Sequence, residues 1–126
     1  MPEITNDYKP PQSREELLRR YASGERKFPD TDLCEADLAG VKLDGASFER
    51  FSWFSSTAFD GASLRGVCFR ECNVKCASFR RADLTGACFE LAAVESADFD
   101  GAITDGLTFA GATSYGYTLK ASDQFP

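Results

Sequence analysis

The sequence predicts an all-β solenoid with a short N-terminal helical cap, and three observations lead there. A five-residue unit recurs along most of the chain, glycine gathers at its fifth place, and phenylalanine gathers at its third. From residue 57 the chain reads TAFDG, ASLRG, VCFRE, CNVKC, ASFRR, ADLTG and onward to YTLKA, with a small residue first and a large apolar residue third. TDLCE, ADLAG, VKLDG and ASFER precede it from residue 31, after a degenerate RKFPD, and are out of phase by one residue. Taking Phe51 as a single insertion followed by SWFSS restores the phase and gives nineteen units. A period of five fits neither the 3.6 of an α-helix nor the 2.0 of a long strand, so the chain turns every five residues.

The glycines test this frame independently, because they were not used to set it. Nine of the ten (Gly40, Gly45, Gly61, Gly66, Gly86, Gly101, Gly106, Gly111 and Gly116) fall at the fifth place, where a corner uses their freedom in φ. Nine of the eleven phenylalanines fall at the third, leaving Phe51 and Phe125 outside.

ADLTG, ADLAG and ADFDG resemble the A(D/N)LXX unit of the pentapeptide-repeat family, over roughly residues 26–121. The likeness is to its short, helix-capped members found in cyanobacteria. It implies a right-handed quadrilateral parallel β-helix of about twenty residues per coil, with third-place side chains inward. Residues twenty apart then stack in four columns. One is Phe28, Phe48, Phe69, Phe89 and Phe109; the opposing one is Leu38, Phe59, Phe79, Phe99 and Leu119. The others are Leu43, Leu64, Leu84, Thr104 and Leu33, Phe54, Val74, Val94, Ser114. That sorting of large apolar residues is what a continuous core requires, in just under five coils.

A solenoid exposes apolar surface and unpaired backbone at its ends unless these are capped. SREELLRRYASG, residues 13–24, reads as the first cap: Ser13 and Glu16 stand in capping-box spacing, Leu17, Leu18 and Tyr21 share one side, and Gly24 stops the helix. Residues 1–12 are expected to be a flexible tail and 122–126 a short C-terminal one. At the far end Tyr115, Tyr117, Leu119 and Phe125 either fold over the last coil or meet a second copy.

Composition removes many functions. With no histidine, the chain has no Ser/His/Asp or Cys/His nucleophile system and no imidazole metal ligand. A net charge of −6 opposes direct nucleic-acid binding and attraction to anionic membranes, and no apolar run is long enough to span a bilayer. Five cysteines cannot all pair within one chain, and the first residues lack the basic start and apolar run of a secretory signal. A reducing, cytoplasmic setting is expected, with free thiols. Cys68, Cys72, Cys76 and Cys88 suggest zinc by their spacing, but their places in the unit send their side chains apart. No catalytic residue, cofactor or metal is expected.

Two outer features remain. Fourth-place residues form an acidic ring (Asp44, Glu49, Asp60), a basic ring (Arg65, Arg70, Lys75, Arg80) and a second acidic ring (Glu90, Glu95, Asp100) along the rod. This reads as a ladder that fixes register, or as a ligand clamp. Trp53 points outward beside Phe51, with Tyr115 on the same face further along, and exposed aromatics mark contact sites; Phe51 also serves to fill a bulge. The candidate protein-contact residues are therefore Phe51, Trp53, Tyr115, Tyr117 and Phe125. The expected function is a noncatalytic scaffold or protein-binding module of unknown partner, monomeric or dimeric through its C-terminal end. The family resemblance also implies an alternative, because its quinolone-resistance members resemble duplex DNA and bind DNA gyrase, a type II topoisomerase. Mimicry of that kind needs an unbroken acidic surface, which the basic ring interrupts.

Overall fold

The computed structural model describes residues 7–123. Second-place residues of successive coils are bridged in parallel: Ala58 to Ser78 to Asp98 and Cys68 to Cys88 to Thr108 are each twenty apart. Pairs that span residues 49–51, such as Asp37 with Ala58, are twenty-one apart. The result is a right-handed, four-sided β-helix whose walls are one bridge wide.

Each wall repeats one bonding pattern. The third-place N–H donates to the second-place carbonyl of the next coil (Phe79 to Asp98, 2.7 Å), and the second-place N–H donates to the previous coil (Ser78 to Thr57, 2.9 Å). At each corner the first-place N–H closes a four-residue turn, as Ala62 does onto Phe59 at 3.0 Å. The fifth residue takes positive φ, as in a type II turn. Glycine marks only half of these corners. Asp30, Glu35, Ser56, Glu71, Cys76, Arg81, Leu91 and Ser96 hold φ between 56° and 63° in the same role.

The third-place side chains fill the interior. Phe59 and Phe79 stack with ring centroids 5.1 Å apart, as do Phe79 and Phe99, while Phe48, Phe69 and Phe89 stack at 5.7 and 5.0 Å in a second column. The two columns meet edge to face, Phe79 against Phe89 at 5.4 Å, the geometry the ring quadrupole favours.

The first cap is α1, Arg14–Ala22. Ser13 is its N-cap and accepts from the Glu16 N–H at 3.1 Å, while the Glu16 carboxylate accepts from the Gln12 N–H at 3.2 Å. Leu17 is fully buried on the first coil, flanked by Leu18 and Tyr21. The helix also supplies donors that a preceding coil would have supplied: Arg14 Nη1 reaches the Asp37 carbonyl at 3.1 Å and the Tyr21 hydroxyl the Asp44 carbonyl at 2.7 Å. Side chains thus satisfy carbonyls that the end of the ladder leaves open.

Residues 7–12 make contacts with the cap and the first coil. Pro11 is buried, the Tyr8 hydroxyl donates to the Pro29 carbonyl at 3.1 Å, and Arg20 Nη1 donates to the Lys9 carbonyl at 2.8 Å. The Arg20 guanidinium lies over the Tyr8 and Phe28 rings and is itself paired to Glu25 at 2.6 Å. These contacts converge on one partly buried arginine, which gathers its partners from three segments. Burial pushes the Tyr8 phenol up to about 12.

The far end differs. YTLKA does not form a further wall: β1, Thr113–Ser114, pairs antiparallel with β2, Tyr117–Thr118, through Tyr115 and Gly116. Both of those residues hold positive φ, 51° and 80°, as a two-residue type I′ hairpin requires. Leu119 is buried, but its backbone bonds go to Gly111 and Ala112 at 2.8 and 2.7 Å instead of continuing the coil. The last parallel bridge joins Ala93 and Thr113, so the solenoid stops short of the expected residue 121.

Candidate protein-contact surface

The register shift opens one corner. Between Phe48 and Ser52 the turn holds three residues, Glu49, Arg50 and Phe51, where other turns hold two. Phe51 takes the left-handed corner conformation, φ 64°, and Arg50 acts as the fourth residue, accepting from the Asp30 N–H at 3.2 Å. Phe51 is thus the corner itself and not an extra residue beside it. Ser52 makes the wide turn tolerable: its buried hydroxyl donates to the Phe48 carbonyl at 2.8 Å and accepts from the Thr31 N–H at 3.0 Å. The Cys72 thiol also donates to that carbonyl, at 3.1 Å.

Phe51 is 57% exposed and Trp53, next on the wall, 52%. The Arg50 guanidinium lies 5.9 Å from the Phe51 ring centroid and 3.9 Å from Glu71. Trp53 belongs to the outer column Asp32, Trp53, Asn73, Ala93 and Thr113. Three coils, about 14 Å at strand spacing, therefore separate it from the hairpin bearing Tyr115 and Tyr117. Tyr115 is 75% exposed, its hydroxyl hydrogen-bonded to Ser96, and the Tyr117 hydroxyl donates to Asp123 at 3.2 Å. Phe51 at the corner and Trp53 on the adjoining wall thus lie two residues apart, with the two tyrosines at the far end of the rod; Phe125 lies outside the described residues. Sequence reasoning missed Arg50 and Leu91. Leu91 sits two coils along the Phe51 corner column, beyond Glu71, and is exposed because its corner place points outward. Its signal was a large apolar residue at the fifth place.

Within the charged rings Arg70 bridges both acidic layers, and Arg65, Lys75 and Arg80 turn toward the following coil. Arg70 lies 3.6 Å from Glu49, 4.0 Å from Glu90 and 3.2 Å from Glu71. Lys75 pairs with Glu95 at 3.4 Å, and Arg80 with Asp100 at 3.4 Å and Asp98 at 3.0 Å. Arg65 turns to Asp83 at 3.8 Å. These are exposed pairs, worth about 0–1 kcal/mol each, and their effect is to penalise slipped register. They also place a neutralised belt across the acidic surface.

The Asp100 N–H and the Arg80 guanidinium hold the Asp98 carboxyl below the usual range, and the Thr85 hydroxyl and N–H do the same for Asp83. Carboxyls lowered in the folded state stabilise it above their unfolded value, and this is lost as pH falls through the folded one. The melting temperature is therefore expected to drop below about pH 4, less steeply in an Asp83→Asn, Asp98→Asn variant. Parallel curves for the two proteins would show that these carboxyls do not contribute.

All five cysteines are free thiols, and among the described residues no three Cys, Asp or Glu side chains converge as metal ligands. Burial raises the Cys68 thiol to about 11 and the Cys72 thiol to about 12. Among the described residues no helix is long and apolar enough to cross a membrane. Third-place side chains from Phe28 to Val94 fill the interior, while at the last coil Phe99 and Phe109 are partly buried and Thr104 is exposed; one surface groove is lined by Lys27, Ser47, Glu49 and Arg50.

No curated protein matches the sequence. Among solved structures, alr5209, a pentapeptide repeat protein from Nostoc PCC 7120, is 24% identical over 81% of this chain and 99% of that one, with a TM-score of 0.75. Rfr23, a pentapeptide repeat protein from the cyanobacterium Cyanothece 51142, is 20% identical over 66% of this chain and 56% of that one, with a TM-score of 0.63. This chain therefore spans just over half of Rfr23. Both likenesses concern the fold alone. The pentapeptide-repeat profile matches residues 26–52 and 62–101 in eight copies, and with the five-residue walls and stacked centres described above, the chain belongs to the pentapeptide repeat family.

Proposed function

We propose that the chain is a noncatalytic protein-binding module whose contact surface centres on Phe51 and Trp53. The observation that carries this reading is the widened corner, where Phe51 and, two residues on, Trp53 are each more than half exposed. Aromatic anchors flanked by an arginine, here Arg50, are what protein interfaces concentrate. The filled interior favours a surface role over catalysis, since general acid–base chemistry needs a sheltered site. The module works in the cytoplasm, where thiols stay reduced, as a monomer or a dimer joined at its C-terminal end. Duplex mimicry toward a topoisomerase gains no support from a surface crossed by Arg65, Arg70, Lys75 and Arg80.

The test is capture from host extract with three baits. A Phe51→Ser, Trp53→Ala variant should melt like the wild type and lose a partner that a Tyr115→Ser, Tyr117→Ser variant keeps. Equal capture by all three baits counts against this corner.

A further inference from the structure

We propose that Cys68 and Cys88 form a two-coordinate site for a soft monovalent cation of the copper(I) or silver(I) type. They are direct partners in the parallel ladder, both second in their units, and both half-buried on the outside of one wall. Backbone bonds fix them on each side: Cys68 N–H to Ala46 O and Cys88 N–H to Val67 O, each 3.0 Å, and Phe69 N–H to Cys88 O, 2.7 Å.

That register sets the spacing of the two residues. In-register parallel neighbours stand about 4.8 Å apart with their Cα–Cβ bonds parallel. A disulfide needs its Cβ atoms about 3.8 Å apart, closer than the ladder brings them. Two metal–sulfur bonds of about 2.3 Å laid end to end span about 4.6 Å, close to the strand spacing of the ladder. Thiolates select soft cations, and two donors alone suit a linear monovalent ion; zinc, which takes four, is not served by this pair.

The surroundings suit the charge. The Cys68 thiol donates to Glu49 Oε2 at 3.6 Å and the Cys88 thiol to Glu90 Oε1 at 3.7 Å. Both carboxylates also engage Arg70, at 3.6 and 4.0 Å. On binding, each S–H bond breaks, two S–metal bonds form and two protons leave to solvent or to these carboxylates. No electrons are transferred, so no oxidant is needed. The bis-thiolate complex carries one negative charge beside the Arg70 guanidinium. This site is independent of the protein-contact reading.

The experiment is an anaerobic titration of the full chain with copper(I) against a chromogenic copper(I) chelator, repeated with silver(I). Wild type, Cys34→Ser and Cys76→Ser should each hold a single equivalent, while Cys68→Ser and Cys88→Ser bind weaker by about tenfold or more. X-ray absorption on the copper-loaded wild type should report two sulfur neighbours, a readout that does not depend on the variants folding. The proposal is overturned if the Cys68→Ser, Cys88→Ser double variant competes as well as the wild type. It is equally overturned if the metal shows three or more ligands, or if mild thiol oxidation joins Cys68 to Cys88 quantitatively.

Discussion

Replacing Phe79 by alanine is expected to cost about 3–5 kcal/mol, the range of large-to-small changes at fully enclosed aromatic sites. Phe79 is fully buried and lies midway along its column, stacked on Phe59 and Phe99 at 5.1 Å on each side and edge-on to Phe69 and Phe89 at 5.7 and 5.4 Å. Backbone bonds on both sides hold the coils apart at strand spacing, so the walls cannot close on the void. The loss combines transfer free energy with an uncollapsed cavity. Equilibrium denaturation in urea measures it, and an unchanged midpoint would mean that the ring is not part of the core. Phe79→Leu should lose less, because it keeps most of the volume.

Leu17→Ala should cost about 2–5 kcal/mol and act from the end of the molecule. Leu17 is the fully buried residue of α1 and joins the same apolar core as the first-coil residues Phe28, Leu38 and Leu43. A solenoid is stabilised by its nearest neighbours, so losing this side chain should loosen the first coil before the others. Hydrogen exchange checks this: amides of Phe28, Leu33, Leu38 and Leu43 should lose protection while those of Phe79 and Leu84 keep it. Uniform loss along the rod would indicate a single cooperative unit and refute the end-first picture.

The core was legible because its signal has one dominant cause. Large apolar residues at the third place mark the inward positions, and the four-sided coil that the family resemblance implies then puts Phe59, Phe79 and Phe99 in one stack; Thr104, polar at the same place, is exposed. The corners were half legible: glycine marks eight of them, yet Glu71, Arg81 and Leu91 adopt the same left-handed conformation because closure of the turn overrides their local preference. The hairpin was hidden since YTLKA satisfies the repeat pattern while Tyr115 and Gly116 also satisfy a type I′ turn, and only tertiary contacts choose between them. The contacts of residues 7–12 were not legible because they run through Arg20, whose partial burial no local pattern shows. At the candidate site, spacing alone placed Trp53 on the outside, but it could not say that the wide turn would make Phe51 the corner or bring Arg50 to it.

The three-residue turn at Glu49–Phe51 shows how a periodic protein diversifies. Length added at an edge is absorbed within a single circuit, with Ser52 mending the backbone, and every later coil resumes its phase. Loops can therefore be grafted onto these vertices, and new recognition chemistry installed there, without asking the packed centre to change.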